Sequence, residues 1–362
     1  MKRAFVFPFK RKSKKRSAAH ARKRRTVRRK KQLELLRRSA FVIASALCGF
    51  FIVCLRVVSA FTSDQTPVAP APIAIVQPTP EEAAPVYPSQ DNPLFAAQPT
   101  WAQAFVYQKN GLLDPKYWNV LVGPAENSNQ EQQYYTANRE NFRIENGVLR
   151  LIATKGSQPE GYQYGSARIE PQNKQVFLYG RIDIEAKLPV GVGTWPAVWL
   201  LPANNTYAEK SPESNQLRYK NGGEIDVIEA VGHEPDNVYA VAHTAADLIH
   251  RTDGTGSFNV IKVPNSATTF NKYTLFWTPT SLSFAVNEKV YFTYTRQAGA
   301  TYMTWPFDQP FYLIANLAMG GTWGGLDTDR FPGNGIDDSA LPASLDIRSI
   351  YYYPYIGPND IK

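Results

Sequence analysis

Apolar and polar residues alternate in short runs along most of the chain after about residue 100. Apolar side chains recur at about every second position in residues 147–153, 180–187, 272–277, 281–286, 289–294 and 345–353. Because side chains on a β-strand point alternately to opposite faces, this period of two predicts strands that turn one face toward a core. Glycine, proline, asparagine and aspartate separate the runs, as is typical of turns. Residues 101–357 are therefore predicted to form one antiparallel β-sandwich or barrel.

A continuous apolar run near the N-terminus breaks this alternation. Residues 39–55 carry no charge, and the run continues past Arg56 to Phe61. A helix needs about 20 apolar residues to cross a bilayer, so residues 39–61 are predicted to form one transmembrane signal-anchor helix. Two alternatives stay open: a buried core helix, and a signal peptide cleaved near Ala60, after which the protein would be secreted. The uncleaved anchor is favoured because the preceding basic region is long for a signal peptide.

Charge divides the chain into two unlike parts. Residues 1–38 hold eighteen lysines and arginines and one acid, Glu34, whereas residues 62–362 hold 21 bases and 30 acids. The formal net charge of +9 therefore describes the tail and not the remainder. A basic flank stays cytoplasmic, so the tail is expected inside the cell, against anionic lipid head groups, with everything after residue 61 outside. Nucleic acid is disfavoured as a partner, because the membrane helix already accounts for the basic tail.

The exported part begins with a linker and has no cysteine. Residues 62–100 are rich in proline and alanine and are predicted to be a semi-rigid spacer between the membrane and the β-rich domain at 101–357. Both cysteines, Cys48 and Cys54, lie in the apolar run. The exported domain is therefore expected to be stabilised by core burial without an intrachain disulfide.

Three carboxylates within six residues carry the main candidate chemistry. On a regular strand Glu224 and Asp226 share one face and Glu229 falls on the other, but a bulge at Val227 and Ile228 would return Glu229 to the first face. Repulsion between clustered carboxylates keeps one of them protonated, and a protonated acid beside a carboxylate is what cleavage of a glycosidic bond requires. The alternative is an amphipathic strand whose acids face water.

Blocks around these acids resemble glycoside hydrolase family 16, most closely its laminarinase-type, endo-β-1,3-glucanase-like branch. The blocks occur in order as YGSARI at 164–169, YGRIDIEAKLP at 179–189, GTWPAVWLLP at 193–202, GEIDVIE at 223–229, YTLFWTP at 273–279 and PFDQPFYLIANLAMGGTW at 306–323. The resemblance implies an all-β jelly-roll sandwich, concanavalin A-like, of two curved antiparallel sheets. It also implies a retaining endo-glycosidase acting on internal β-1,3, or mixed β-1,3/1,4, glucosidic bonds.

The same resemblance implies roles for individual residues. Glu224 matches the nucleophile, Asp226 the acid that positions it, and Glu229 the general acid/base. His243 matches a histidine that faces the acids from the next strand, where it would bond Asp226 or the sugar. The positions that match substrate-binding residues are Trp195, Trp199, Trp323, Arg168, Asn129 and Asn316.

Several points differ from the family pattern or stay open. A polar insertion at residues 203–220 would lie at the rim of the cleft, and Gly222 stands where some relatives have tryptophan, so the preferred linkage is undecided. No cofactor is required, although the resemblance allows a structural calcium with Asp346 as its acidic ligand; no catalytic metal is predicted. A transglycosylase and a non-catalytic carbohydrate-binding sandwich are the competing functions, and three repelling carboxylates disfavour the pure binder.

Overall fold

The computed structural model describes residues 92–107, 111–125, 129–204, 206–207, 222–246, 258–325 and 335–357. The basic tail, the predicted anchor at 39–61, most of the linker and most of the 203–220 insertion lie outside these residues. Within the described residues, no helix is long and apolar enough to cross a membrane. The anchor prediction therefore remains a prediction.

The described strands form two sheets. The larger sheet contains β1 (Trp101–Ala104), β3 (Gly123–Pro124), β4 (Gln133–Tyr135), β5 (Phe142–Glu145), β6 (Val148–Lys155), β7 (Tyr164–Ser166), β9 (Gly180–Lys187), β14 (Asn271–Trp277), β15 (Ser281–Val286), β16 (Lys289–Thr295) and β18 (Ala343–Tyr353). The smaller sheet contains β2 (Asn119–Val120), β8 (Arg168–Glu170), β10 (Thr194–Pro202), β11 (Glu224–Glu229), β12 (Asn237–His243), β13 (Phe258–Lys262) and β17 (Phe311–Met319). Short helical turns occur at Phe105–Tyr107, Pro159–Gly161, Gly321–Gly324 and Asp338–Ala340.

Strand order places β11 near the middle of the smaller sheet. That sheet runs β13-β12-β11-β10-β17-β8-β2, and the main path of the larger one runs β16-β15-β14-β9-β18-β6-β7-β4-β3. All pairings are antiparallel except that of β4 with β7. The prediction of an all-β, jelly-roll-like sandwich of two sheets is confirmed.

One apolar core joins the facing sides of both sheets. Val198, Ile225 and Leu313 of the smaller sheet belong to the same buried cluster as Ile182 and Leu275 of the larger sheet. Apolar residues at alternate positions of the longer strands, such as Ile182, Ile184 and Ala186 of β9, enter this cluster, which is how the alternation in the sequence becomes a packed interior. The intervening side chains, which include Trp195 and Trp199 on β10 and Glu224 and Asp226 on β11, lie on the opposite face of the smaller sheet, which we call the active-site face.

The folded unit begins before residue 101. Phe95 is buried and forms an isolated bridge with Tyr355, and the Ala96 amide donates to the Pro354 carbonyl at 2.9 Å. The Thr100 amide donates to the Tyr352 carbonyl at 3.0 Å. The last residues of the segment assigned to the linker therefore pack beside the C-terminal strand.

Gly180 offers a test of this packing at the start of β9. Its φ is +124°, and an added Cβ would lie 2.4 Å from the Tyr352 ring and 2.7 Å from the Tyr353 carbonyl oxygen. Gly180→Ala is expected to lower the free energy of unfolding by about 1–3 kcal/mol, because neither neighbour can move away cheaply. Gly299→Ala is the control, since Gly299 also has a positive φ but no atom within 4 Å of the added Cβ. Equal losses for the two variants in urea unfolding would contradict the steric explanation.

Candidate active site

The predicted bulge is present in β11. Between Asp226 and Glu229 the pairing shifts by one residue against the strands on both sides, β10 and β12. Val227 and Ile228 occupy the place of one residue and are both buried in the core, with 2% and 0% exposure. Glu224, Asp226 and Glu229 consequently share the active-site face, which a regular strand would not allow. The prediction that a bulge returns the third acid to the face of the first two is confirmed.

Two glycines fix the chain where it enters β11. Gly223 has φ +78°, and a Cβ there would lie 2.4 Å from Cγ of Pro306. The side-chain amide of Gln309 donates to the carbonyl oxygens of Gly222 at 2.9 Å and Pro306 at 3.0 Å. The close approach needs a residue without a side chain at position 223, and the bonds to Gln309 hold the entry to the acidic strand in place.

His243 contacts the middle acid directly. Its Nε2 lies 2.9 Å from Oδ2 of Asp226, whose side chain is 4% exposed, and His243 is the cross-strand partner of Glu224. Single ligand atoms of Glu224, Asp226 and His243 lie within 4.8 Å of one another, a spacing that could also hold a metal ion. The 2.9 Å contact places the imidazole of His243 directly against this buried carboxylate oxygen.

Glu229 lies beside an aromatic group. Nε1 of Trp195 donates to Oε1 of Glu229 at 2.9 Å. The Trp195 ring meets Trp323 edge to face with centroids 5.5 Å apart, and Trp323 meets Tyr239 in the same way at 4.9 Å. Tyr239 is also the cross-strand partner of Glu229. Three aromatic rings thus lie around this end of the acidic strand.

A second group of predicted residues lies on β10, β17 and β8, farther along β10 from Trp195 and opposite Asp226. Nε1 of Trp199 donates to Oδ1 of Asn316 at 2.7 Å, and the guanidinium of Arg168 lies 5.4 Å from the centre of the Trp199 ring. Arg168 also pairs with Glu170, with 3.0 Å between Nη2 and Oε2 and both side chains buried. The buried charge of Arg168 is thereby neutralised, and the guanidinium is held over the indole.

A buried chain of hydrogen bonds supports Asn316 from below. The hydroxyl oxygen of Tyr135 accepts from Nδ2 of Asn316 at 3.2 Å and from Nε2 of Gln133 at 2.9 Å. Gln133 also donates to Glu131 at 2.7 Å, and Asn129 donates to the other Glu131 oxygen at 3.2 Å. Burial, and next the nearby charge of Glu131, raise the pKa of Tyr135, so its phenol is neutral at physiological pH.

All ten predicted site residues lie on or beside the active-site face, but in two groups. Trp195 and Trp323 accompany Glu229, whereas Trp199, Arg168 and Asn316 form a cluster of their own. Asn129 lies at the outer end of the hydrogen-bonded chain, where its carbonyl oxygen approaches Gly321.

Supporting residues were missed by the sequence reasoning. They are Glu131, Gln133, Tyr135, Glu170, Glu234 and Tyr239. Arg168 and Glu170 stand two apart on one strand, as do Gln133 and Tyr135, so alternation could have paired them. No sequence signal connects Tyr135 to Asn316, which lies 181 residues away.

Asp346 has a different environment from that of a metal ligand. Its Oδ1 lies 3.1 Å from Nε of Arg150 and its Oδ2 lies 3.1 Å from Nζ of Lys187, while Ser344 donates to Oδ1. Both carboxylate oxygens are therefore engaged by cations of the larger sheet. This arrangement favours an ion-pair network over a calcium ligand at this position.

The two-sheet sandwich, with carboxylates and tryptophans on one face, defines a glycoside hydrolase. The sequence matches the profile of glycosyl hydrolases family 16 over residues 129–331, and the chain belongs to this family. It is 38% identical over 261 residues to a β-glucanase from Rhodothermus marinus, covering 71% of this chain and 85% of that protein.

Solved structures agree with this assignment. The laminarinase from Rhodothermus marinus superposes with a TM-score of 0.64 at 39% identity, covering 72% of this chain and 98% of that one. A non-specific endo-β-1,3(4)-glucanase of the family, co-crystallised with 1,3-β-D-cellotriosyl-glucose, gives a TM-score of 0.62 at 27% identity, over 74% of this chain and 97% of that one. The resemblance stated from the sequence blocks is confirmed.

The buried chain below Asn316 can be tested through one hydroxyl. Tyr135→Phe leaves N–H groups of Gln133 and Asn316 without their acceptor, so the free energy of unfolding should fall by about 1–3 kcal/mol. The matched control is Tyr117→Phe, because Tyr117 is only half-buried and its hydroxyl makes no hydrogen bond within the described residues. A Tyr135→Phe protein as stable as the control in denaturant unfolding would show that the chain contributes nothing.

Proposed function

We propose that this chain is a retaining endo-β-1,3-glucanase that cleaves internal glucosidic bonds by double displacement. The observation that carries the proposal is the placement of three carboxylates on one face of β11 by the bulge at Val227 and Ile228. Retaining glycosidases need two carboxyl groups about 5–5.5 Å apart on either side of the scissile bond, and the bulge brings Glu224 and Glu229 to one face, with Asp226 between them. The names of the relatives, β-glucanase and laminarinase, support the substrate class.

In the first step Glu224 attacks the anomeric carbon while Glu229 gives its proton to the leaving oxygen. The bond between the anomeric carbon and that oxygen breaks, and a glycosyl ester of Glu224 forms. In the second step Glu229, now ionised, takes a proton from water, whose oxygen attacks the anomeric carbon and releases Glu224. The configuration at the anomeric carbon is inverted twice and so is retained.

Asp226 and His243 would prepare Glu224 for attack. Asp226 lies between the two glutamates in the sequence, and its side chain is on the same face. When Asp226 shares a proton with a glutamate, the position of the proton decides which of the two carboxyl groups is charged. Nε2 of His243, 2.9 Å from Oδ2 of Asp226, would restrict where that proton can lie. We assign both residues to tuning the nucleophile and not to covalent chemistry.

The remaining residues of the active-site face would bind the sugar. An indole ring offers a flat apolar surface to the C–H face of a pyranose, and Trp199 carries such a ring with Asn316 and Arg168 beside it. Hydrogen bonds and the ion pair with Glu170 fix these polar groups before substrate arrives, which reduces the entropy lost on binding. Trp195, Trp323 and Asn129 complete the proposed substrate-binding set.

The preferred glucosidic linkage and the length of the products are proposed from the relatives and do not follow from the fold. The relative co-crystallised with 1,3-β-D-cellotriosyl-glucose is described as non-specific for β-1,3(4) bonds, which supports mixed-linkage glucan as a further substrate. The excess of acids in residues 62–362 disfavours strongly anionic polymers. A panel of laminarin, lichenan and sulfated galactan, with product lengths followed over time, separates these substrates and distinguishes hydrolysis from transglycosylation.

The roles of the two glutamates can be separated with azide and a dinitrophenyl β-laminarioligosaccharide. In Glu224→Ala, azide occupies the place of the nucleophile and attacks once, so the product should be the α-glycosyl azide. In Glu229→Ala, the dinitrophenolate leaves without a proton and azide then attacks the glycosyl ester of Glu224, so the product should be the β-glycosyl azide. NMR of the products reads the anomeric configuration.

Each glutamate variant should also lose at least about 10²-fold in kcat on laminarin without azide. Glu185→Gln, on the larger sheet, is the control and should keep wild-type activity. Full activity of Glu224→Ala, or an inverted anomer from the wild-type enzyme, would overturn the mechanism.

We also propose that the chain is a single-pass membrane protein with its N-terminus in the cytoplasm and the catalytic domain outside. The apolar run at 39–61 and the basic residues 1–38 support this orientation. In cells making the full chain, the protein should stay in the membrane fraction after an alkaline wash, and external protease should remove the catalytic domain. Recovery from the medium with a new N-terminus near residue 61 would show a cleaved signal peptide instead.

A further inference from the structure

The hydrogen bond from Trp195 to Glu229 distinguishes the two oxygens of the carboxyl group. Nε1 of Trp195 can only donate, and it lies 2.9 Å from Oε1 of Glu229. A protonated carboxyl group carries its hydrogen on one oxygen and keeps the other as an acceptor. Because Oε1 must accept from the indole, the proton of the acid form belongs on Oε2.

The indole is held from several sides. Trp323 packs edge-on against it at 5.5 Å, and the backbone of the turn Gly321–Gly324 lies so close that a Cβ on Gly324 would be 3.2 Å from Cβ of Trp195. Trp323 is in turn supported by the Tyr239 ring at 4.9 Å. With so many contacts the indole has little freedom to turn its N–H away from Glu229.

Tyr239 is itself fixed at its hydroxyl end. The hydroxyl donates to the carboxylate of Glu234, in the turn that follows β11. Burial, and next the bond to Glu234, raise the pKa of Tyr239 to about 12, so it remains a donor at physiological pH. Because Tyr239 also faces Glu229 across the ladder, a closed set of contacts runs from Glu229 through Trp195, Trp323 and Tyr239 back to the same strand pair.

We propose that Trp195 is a positioning residue for proton transfer, which holds Oε1 of Glu229 so that the proton is delivered from Oε2 to the leaving oxygen. The inference rests on the proposed retaining function and adds to it a role that differs from stacking on sugar. A sugar platform acts through the ring face and affects binding of any substrate that covers it. A positioning donor acts through the N–H and matters only when the leaving group needs a proton.

Two aryl substrates with the same sugar part separate these roles. Phenyl β-laminaribioside needs its leaving oxygen protonated, whereas the 2,4-dinitrophenyl compound does not. kcat/KM is the quantity to compare, since it reports steps up to formation of the glycosyl enzyme and excludes the later attack of water.

The decisive variant keeps the ring and removes only the donor. Trp195→3-benzothienylalanine, in which sulfur replaces the indole N–H, should lose about tenfold or more in kcat/KM on the phenyl substrate and stay within about threefold on the dinitrophenyl substrate. The loss should fall on kcat and leave KM nearly unchanged. Trp195→Phe should show the same preference for the activated substrate, and Glu229→Ala sets the upper limit of the difference.

Trp118→Phe is the matched control. Nε1 of Trp118 also donates at 2.9 Å, to Gln103, and the side chain is buried, so this variant loses an equivalent bond remote from β11. It should lower stability without changing the ratio between the two substrates. Equal losses on both substrates in the benzothienyl variant, or a loss confined to KM, would overturn the positioning role. A wild-type enzyme inactive on both substrates and on laminarin would instead overturn the proposed function.

Discussion

The active-site face depends on one extra residue in β11. Side chains on a strand alternate, so acids at positions 224, 226 and 229 cannot share a face unless the count between the last two is changed by one. The bulge makes this change where Val227 and Ile228 both turn into the core, and burying two apolar side chains offsets the loss of regular pairing. Val227 and Ile228 thus set the positions of the acids and also fill part of the core.

Grouping carboxylates on one sheet face carries an electrostatic cost, and the surroundings are built to limit it. Each of two acids has a specific partner, His243 for Asp226 and the indole of Trp195 for Glu229. The buried guanidinium of Arg168 is paired with Glu170. The indole N–H bonded to Glu229 and the imidazole in contact with Asp226 limit this cost at two of the three acids.

Alternation and local spacing predicted much of this structure. The runs at 180–187 and 281–286 correspond to β9 and β15 residue for residue, and the spacing of Glu224, Asp226 and Glu229 predicted the bulge. What could not be predicted depends on contacts between distant strands. Tyr135 contacts Asn316 only because the fold brings β4 and β17 together. Residues 95–100 likewise pack beside residues 352–355 only because the fold brings these two distant segments together. Composition predicted a linker at these residues. Phe95 is a single buried phenylalanine among prolines, so it gives no periodic signal of a packed segment.

The attachment of residues 95–100 to residues 352–355 has a mechanical meaning. Any force that enters the domain through the N-terminal linker is first met by these backbone hydrogen bonds and by β1, which pairs with β18 in the larger sheet. The acidic strand belongs to the other sheet and shares no ladder with them. Under the proposed anchoring at 39–61, a pull on the enzyme while it holds a polymer would load the edge of the sheet that does not carry the three acids.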